Sequence, residues 1–193
     1  MRLEILDRGY GTGTKVLFAV IKLFTRQPVP DAAKIVFYRP DFYGNRAKEF
    51  THEAMRGASE WSVGDRELMA AYVSQVNESA FCVGAHTATA SQAYGDRRLV
   101  VMALDDLETA PIAEPLRATL RMLGKLTATG TVSTEDMRTV LATGVSAQQV
   151  RDALAVCAAF NTTDRLAEAF GFDVLSREGF ESGAKYLLKR GYR

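Results

Sequence analysis

Two cysteines in 193 residues, Cys82 and Cys157, cannot build a disulfide framework, and so small a number fits a reducing compartment, which makes the cytoplasm the expected location. Charge of one sign is also missing. Lys plus Arg number 24 against 23 Asp plus Glu, a formal net charge of +1, and no Arg/Lys stripe with interleaved aromatics occurs, so no nucleic-acid partner is expected. The apolar run Val16 to Phe24, VLFAVIKLF, is interrupted by Lys22 and falls short of the ~20 residues that span a bilayer. No small-residue cleavage pattern follows it, so it reads as an amphipathic helix rather than a signal segment or a membrane span. Strand signals are scarce: there is no Asn-Gly hairpin and no sustained β-branched alternation. With only two histidines, His52 and His86, no ligand set of zinc-like spacing forms around Cys82, and neither a metal nor a cofactor is expected.

What is present is helical. The length suits one domain and the apolar share of 47% suits a sizeable core. The expected organisation is a single all-α domain over 1–193, with an N-terminal helix and loop in 1–30, a core in 38–171 and a helical tail in 172–193. The pattern predicts a helix from about Thr14 to Thr25, then the breaker Gln27-Pro28-Val29-Pro30, then a short helix capped by Asp31. A further helix over Asn45 to Met55 carries few apolar positions and should add little core. Ser62 with Asp65 opens the next, and Ser133 and Ser146 each start helices that run to about Thr143 and to Phe170. Ser62 to Gly95 and Ser133 to Gly171 echo each other: a capped helix, a turn, a helix carrying a cysteine, then an aromatic residue and glycine. The basic residues near the end, Lys185, Lys189 and Arg190, satisfy the dipole of a last helix, and that tail could dock in an oligomer.

The chemistry concentrates in Glu67 to Gly95. Asn77 and Ser79 are the N-cap candidates before the apolar residues resume, and with Ser79 capping, Cys82 becomes the third helical residue. There the unpaired N–H groups and the helix dipole favour a thiolate. His86, four residues on, shares the face of Cys82 and can take its proton. The bland account is a small buried Cys on an apolar helix. For Glu67 it is a solvated charge in a first turn, for Cys157 a core position, for His52 an isolated helix position, and for Arg165 an ion pair or a solvated residue.

Glu67, Asn77, Phe81-Cys82, His86 and Gly95, together with Phe160-Asn161, Arg165 and Phe170-Gly171, resemble the alkylhydroperoxidase D and carboxymuconolactone decarboxylase family, especially its peroxidase-related branch. The resemblance covers roughly Tyr38 to Gly171. It implies an alkylhydroperoxidase D-like helical fold built from repeated units, a homo-oligomer, and a catalytic group of Cys82 as nucleophile, His86 as proton acceptor, Glu67 as relay and Ser79 at the helix start. Redox-active members carry C-x-x-C, whose second cysteine attacks the peroxide and whose first resolves the sulfenic acid. Ser79 stands where the first would be, and a hydroxyl cannot close a disulfide. The expected function is therefore a peroxidase-like, thiol-dependent oxidoreductase acting on hydroperoxides through one cysteine, with an external thiol as reductant. Cys157 resolves Cys82 only if their Cα atoms come within about 7 Å. The alternatives are a non-redox lyase of the carboxymuconolactone decarboxylase type, acting on a carboxylate through Glu67 and His86, and a redox-inactive oligomeric binding protein.

Overall fold

In the computed structural model, which describes residues 3–192, the chain is helical throughout and no strand occurs among the described residues. The helices are α1 (Thr12–Thr25), α2 (Asp31–Tyr38), α3 (Asn45–Arg56), α4 (Val63–Val76), α5 (Ala80–Tyr94), α6 (Arg97–Asp105), α7 (Glu114–Thr129), α8 (Thr134–Ala142), α9 (Ala147–Phe170) and α10 (Arg177–Arg190). Three of the predicted starts carry full capping boxes. Ser62 with Asp65, Ser133 with Asp136 and Ser146 with Gln149 each exchange side-chain and backbone hydrogen bonds at the first turn. Both halves of the sequence echo end alike, with Gly95 and Gly171 in the left-handed conformation after α5 and α9.

The hairpin of α4 and α5 is the centre of the molecule. α4 packs on α9 and α7, and α5 packs on α10 and α6. The larger core gathers Met55, Leu68, Met69, Val73, Leu120, Leu123, Val156 and Phe160, all essentially sealed from water. A smaller cluster of Phe81, Cys82, Ala88, Ala167, Phe180 and Ala184 lies where α5 meets α10 and α9. The approach of α10 depends on Gly84, because a Cβ there would stand 2.4 Å from the Phe180 ring.

Two local expectations need correction. Asp31 is the first residue of α2 rather than its cap. The N-cap is Pro30, and the Asp31 carboxylate instead accepts from Lys34 Nζ at 2.8 Å and from the Asp173 N–H at 2.9 Å, tying α2 to the segment after α9. α3 contributes more core than its composition suggests, since Ala54 and Met55 are buried and Arg56 reaches inward. The tail is seated within the chain itself, with Phe180 and Ala184 of α10 buried on α5. α1 is the exception to this packing: it has no buried residue, and Val16, Leu23 and Phe24 are exposed. Ring contacts of Phe18 with Tyr10 and Phe37, at centroid distances of 5.2 and 5.5 Å, hold it against the rest.

Candidate functional site

Cys82 is set by how α4 stops. Asn77 ends that helix, Glu78 turns left-handed with φ 58°, and its N–H reaches Gln75 O while the Ser79 N–H reaches Ser74 O, each at 3.0 Å. This is a Schellman arrangement with glutamate in the place glycine usually takes. α5 then starts at Ala80, which makes Cys82 its third residue as predicted. Ser79 holds the N-cap position but its side chain makes no capping bond. The buried Ser79 hydroxyl has no oxygen or nitrogen partner and lies beside the Cys82 sulfur, where it would favour the anion.

The thiol itself is not the acidified group that the start of a helix suggested. Cys82 is 1% exposed. Burial pushes its pKa far above the ordinary thiol range, and the neighbouring Asp164 carboxylate, in hydrogen-bond contact with it, pushes it further than Ser79 can pull it back. The expectation fails because the dipole of α5 acts on a site closed to solvent and facing a carboxylate. The carboxylate that bears most strongly on the Cys82 thiol is Asp164 of α9.

Asp164 is the centre of a buried polar network that the sequence did not announce. Its Oδ1 accepts from the Ser74 hydroxyl at 2.8 Å and its Oδ2 from Asn77 Nδ2 at 2.9 Å. Asn77 also donates to Asn161 Oδ1 at 3.2 Å, and Asn161 Nδ2 lies 3.2 Å from the Cys157 sulfur. Burial raises the Asp164 pKa, and the hydrogen bonds from Asn77, Cys82 and Ser74 offset only part of that. Cys157, half of this network's far end, is buried, with Thr127 Oγ1 at 3.5 Å from its sulfur. On α9 it stands seven residues from Asp164, about 10 Å along the axis. Arg165 donates to Asn161 O and Oδ1 at 3.0 and 3.1 Å, and with Asn161, Thr162, Leu166 and Ala169 lines a surface groove on α9.

Glu67 and His86 form the second part. Glu67 is fully buried, and its Oε2 pairs with His86 Nδ1 at 2.7 Å. Its Oε1 accepts from Arg56 Nη2 at 2.6 Å and from the Tyr192 hydroxyl at 2.9 Å. Burial alone would raise this carboxyl, but the hydrogen bond to His86, the His86 charge and Arg56 together hold it below the usual range. The His86 ring meets Phe160 edge-on, 4.3 Å between centroids. The sequence brought Glu67 and His86 forward, and they do touch. Arg56 and Tyr192, from α3 and from beyond α10, were missed, since nothing local marks a residue that reaches its partner across the fold. Among the described residues no three His, Cys, Asp or Glu side chains converge as a metal site would require.

No protein-family model matches the chain, and no curated protein sequence matches it. Solved structures do. It is similar to a peroxidase-related protein from Silicibacter sp. TM1040, with a TM-score of 0.78 and 24% identity over 93% of this chain and 94% of that one. It is also similar to an alkylhydroperoxidase AhpD core, a peroxidase-related protein from Ralstonia eutropha JMP134, with a TM-score of 0.73 and 20% identity over 95% of each chain. A third neighbour is the debrominase Bmp8, solved as a cysteine-to-alanine variant with 2,3,4-tribromopyrrole, at a TM-score of 0.69 and 14% identity over 86% of this chain and 88% of that one. With full-length agreement to two of these and helices alone in its architecture, the chain has the alkylhydroperoxidase D-like all-α fold.

Proposed function

We propose that the protein is a peroxidase-like, thiol-dependent oxidoreductase that reduces hydroperoxides through Cys82 alone. What supports this reading is the placement of Cys82 as the third residue of α5 in an alkylhydroperoxidase D-like fold, buried near the Asp164 carboxylate, whose affinity for protons burial raises. The sulfur is a neutral thiol at rest and is deprotonated as it reacts. Cys82 Sγ attacks the terminal peroxide oxygen while its proton passes to Asp164. The O–O bond breaks, and the departing alkoxide takes a proton from Nε2 of the His86 imidazolium, whose Nδ1–H Glu67 holds; the proton gained by Asp164 afterwards restores His86, so the cycle leaves neither changed. Cys82 becomes a sulfenic acid and the hydroperoxide an alcohol. One external thiol then forms a mixed disulfide with Cys82 and releases water, and a second releases Cys82 as thiol and leaves as the external disulfide. Ser79 contributes a hydroxyl that steadies the attacking sulfur, not a resolving thiol.

The test is hydroperoxide consumption in the presence of a low-molecular-weight thiol. Cys82→Ser is expected to abolish it, and an equal rate in that variant would sink the mechanism. One observation favours a second reading. The Glu67, His86, Arg56 and Tyr192 group is complete without the sulfur, as a proton-transferring lyase on a carboxylate substrate would require. Activity that survives alkylation of Cys82 would favour it. A homo-oligomer belongs to either reading, supported by the apolar residues that α1 leaves in water, and sedimentation of the protein with and without Leu23→Glu and Phe24→Glu tests it.

A further inference from the structure

The segment that follows α10 turns back into the site. At Gly191 the backbone has φ 68° and ψ −152°, and a Cβ there would stand 2.6 Å from the His52 ring, so only glycine fits the turn. The Tyr192 N–H then donates to His52 Nδ1 at 3.2 Å, and Arg56 Nη2 donates to Leu187 O at 3.2 Å, fixing the end of α10 beside the same group. The Tyr192 ring lies nearly parallel to the His86 imidazole, 19° between planes and 6.4 Å between centroids, with the Arg56 guanidinium 5.1 Å from its centre. Its hydroxyl stands 2.9 Å from Glu67 Oε1 and 3.5 Å from His86 Nδ1.

We propose that Tyr192 is a positioning residue of the Glu67–His86 relay, setting how strongly Glu67 holds the imidazole proton. The inference rests on the reading of that pair as a proton relay, though not on the chemistry of Cys82. Burial and the Glu67 charge keep the phenol protonated, so it acts as a donor. Arg56 and Tyr192 both sit on Oε1, and among the described residues the other oxygen of Glu67 pairs with His86. The phenol draws charge away from the carboxylate, and His86 gives up its proton more readily than it would beside a carboxylate bonded to Arg56 alone. A tyrosine that merely filled the space would act through its ring, and its hydroxyl could be removed without effect on His86. The groups that face the imidazole are Glu67 from α4, Asp164 from α9 and Tyr192, with Arg56 of α3 acting through Glu67.

The experiment is an NMR titration of the His86 ring nitrogens in full-length protein carrying Cys82→Ser, so that activity plays no part. The chain has two histidines, and the resonance lost in His86→Gln assigns the pair. Tyr192→Phe keeps the ring and removes the hydroxyl. It is expected to raise the His86 midpoint by about half a pH unit, the part of one lost hydrogen bond to a carboxylate that is passed through Glu67 to the imidazole. Gly191→Val displaces Tyr192 without altering it and is expected to move the midpoint in the same direction. A midpoint unmoved by Tyr192→Phe overturns the proposal whatever the protein does to peroxide. Conversely, a shifted midpoint, together with a failure of the protein with Cys82 intact to consume peroxide, would retain Tyr192 and retire the thiol chemistry.

Discussion

Glu67 and Asp164 are carboxylates buried to the same degree, 0% and 1% exposed, on helices that flank α5, and they behave in opposite ways. Glu67 meets Arg56 and His86, two groups able to carry positive charge, as well as the Tyr192 hydroxyl, and is held ionised. Asp164 accepts its hydrogen bonds from neutral donors, the Ser74 hydroxyl, the Asn77 amide and the Cys82 thiol, feels the His86 charge less than any of these, and is pushed toward its protonated form by burial. Burying an ion costs several kcal/mol, and hydrogen bonds to charged groups return about 1.5–3 kcal/mol each. Neutral donors therefore leave a carboxylate in deficit, while a paired cation restores it. The charge of the neighbours, not depth, separates a fixed anion from a base that can exchange its proton.

The largest effect that would break the comparison is on stability. Glu67→Ala strands the Arg56 guanidinium, whose Nε already has no partner, and should cost about 3–5 kcal/mol in urea unfolding near neutral pH. Asp164→Ala strands only neutral donors and should cost about 1–3 kcal/mol. Equal losses would mean that charge is not what distinguishes the two sites. Next comes the thiol. Asp164→Asn removes the negative charge that raises the Cys82 pKa, so alkylation of Cys82 at neutral pH should speed up. Peroxide reduction should nonetheless slow by about 10²-fold, because the proton acceptor is gone. If both rates rose together, Asp164 would be a brake on the sulfur and not its base.

A smaller and more direct measure of the contrast is the pH dependence of stability. Asp164 has a raised pKa in the folded state, so between its ordinary value near ~3.9 and that raised value the native protein binds more protons than the unfolded chain. Its effect is to lower stability as pH rises through that window, by at most about 1.4 kcal/mol per pH unit. Glu67 works the other way, contributing stability that is complete above its ordinary value near ~4.3 and lost as pH falls through its depressed one. Unfolding free energies measured across the acid range should show Asp164→Asn flattening the decline toward neutrality and Glu67→Gln flattening the loss in acid. Should either variant alter the opposite limb, the two directions have been assigned to the wrong residues.

Much of the scaffold was legible in the chain because it rests on local chemistry. Ser62, Ser133 and Ser146 cap their helices three residues ahead of the group that answers them, and such spacing is visible without knowing the fold. Glu67 and His86 could be put forward from their types and places along two adjoining helices. The state of Cys82 could not. Its position at the third residue of α5 was readable, but its protonation depends on Asp164, 82 residues later, and on how completely Phe81, Phe180 and Ala167 exclude water. Arg56, Asp164 and Tyr192 were obscure for the same reason. Each acts at the end of a long side chain or a long-range contact, with no periodic signal beside it.

The smallest expected effect lies at the far end of the Asp164 network, and it bears on whether that network is static. Cys157 is seven residues from Asp164 on α9, about 10 Å along the axis, and a disulfide with Cys82 would need the two Cα atoms within about 7 Å. Between them stands the Asn161 amide, donating to Thr127 Oγ1 and Cys157 O and lying 3.2 Å from the Cys157 sulfur. Cys157→Ser keeps an acceptor for Asn161, so stability should fall by no more than about 1 kcal/mol and peroxide consumption with excess external thiol should hold. Under limiting thiol the variant should also leave the sulfenic acid on Cys82 as long-lived as in the parent, measured by trapping with a dimedone probe. A longer-lived sulfenic acid would show that Cys157 captures it, which requires Asn161 to leave its place and α9 to shift toward α5, and the neutral donors around Asp164 would then be a latch rather than a fixed shell.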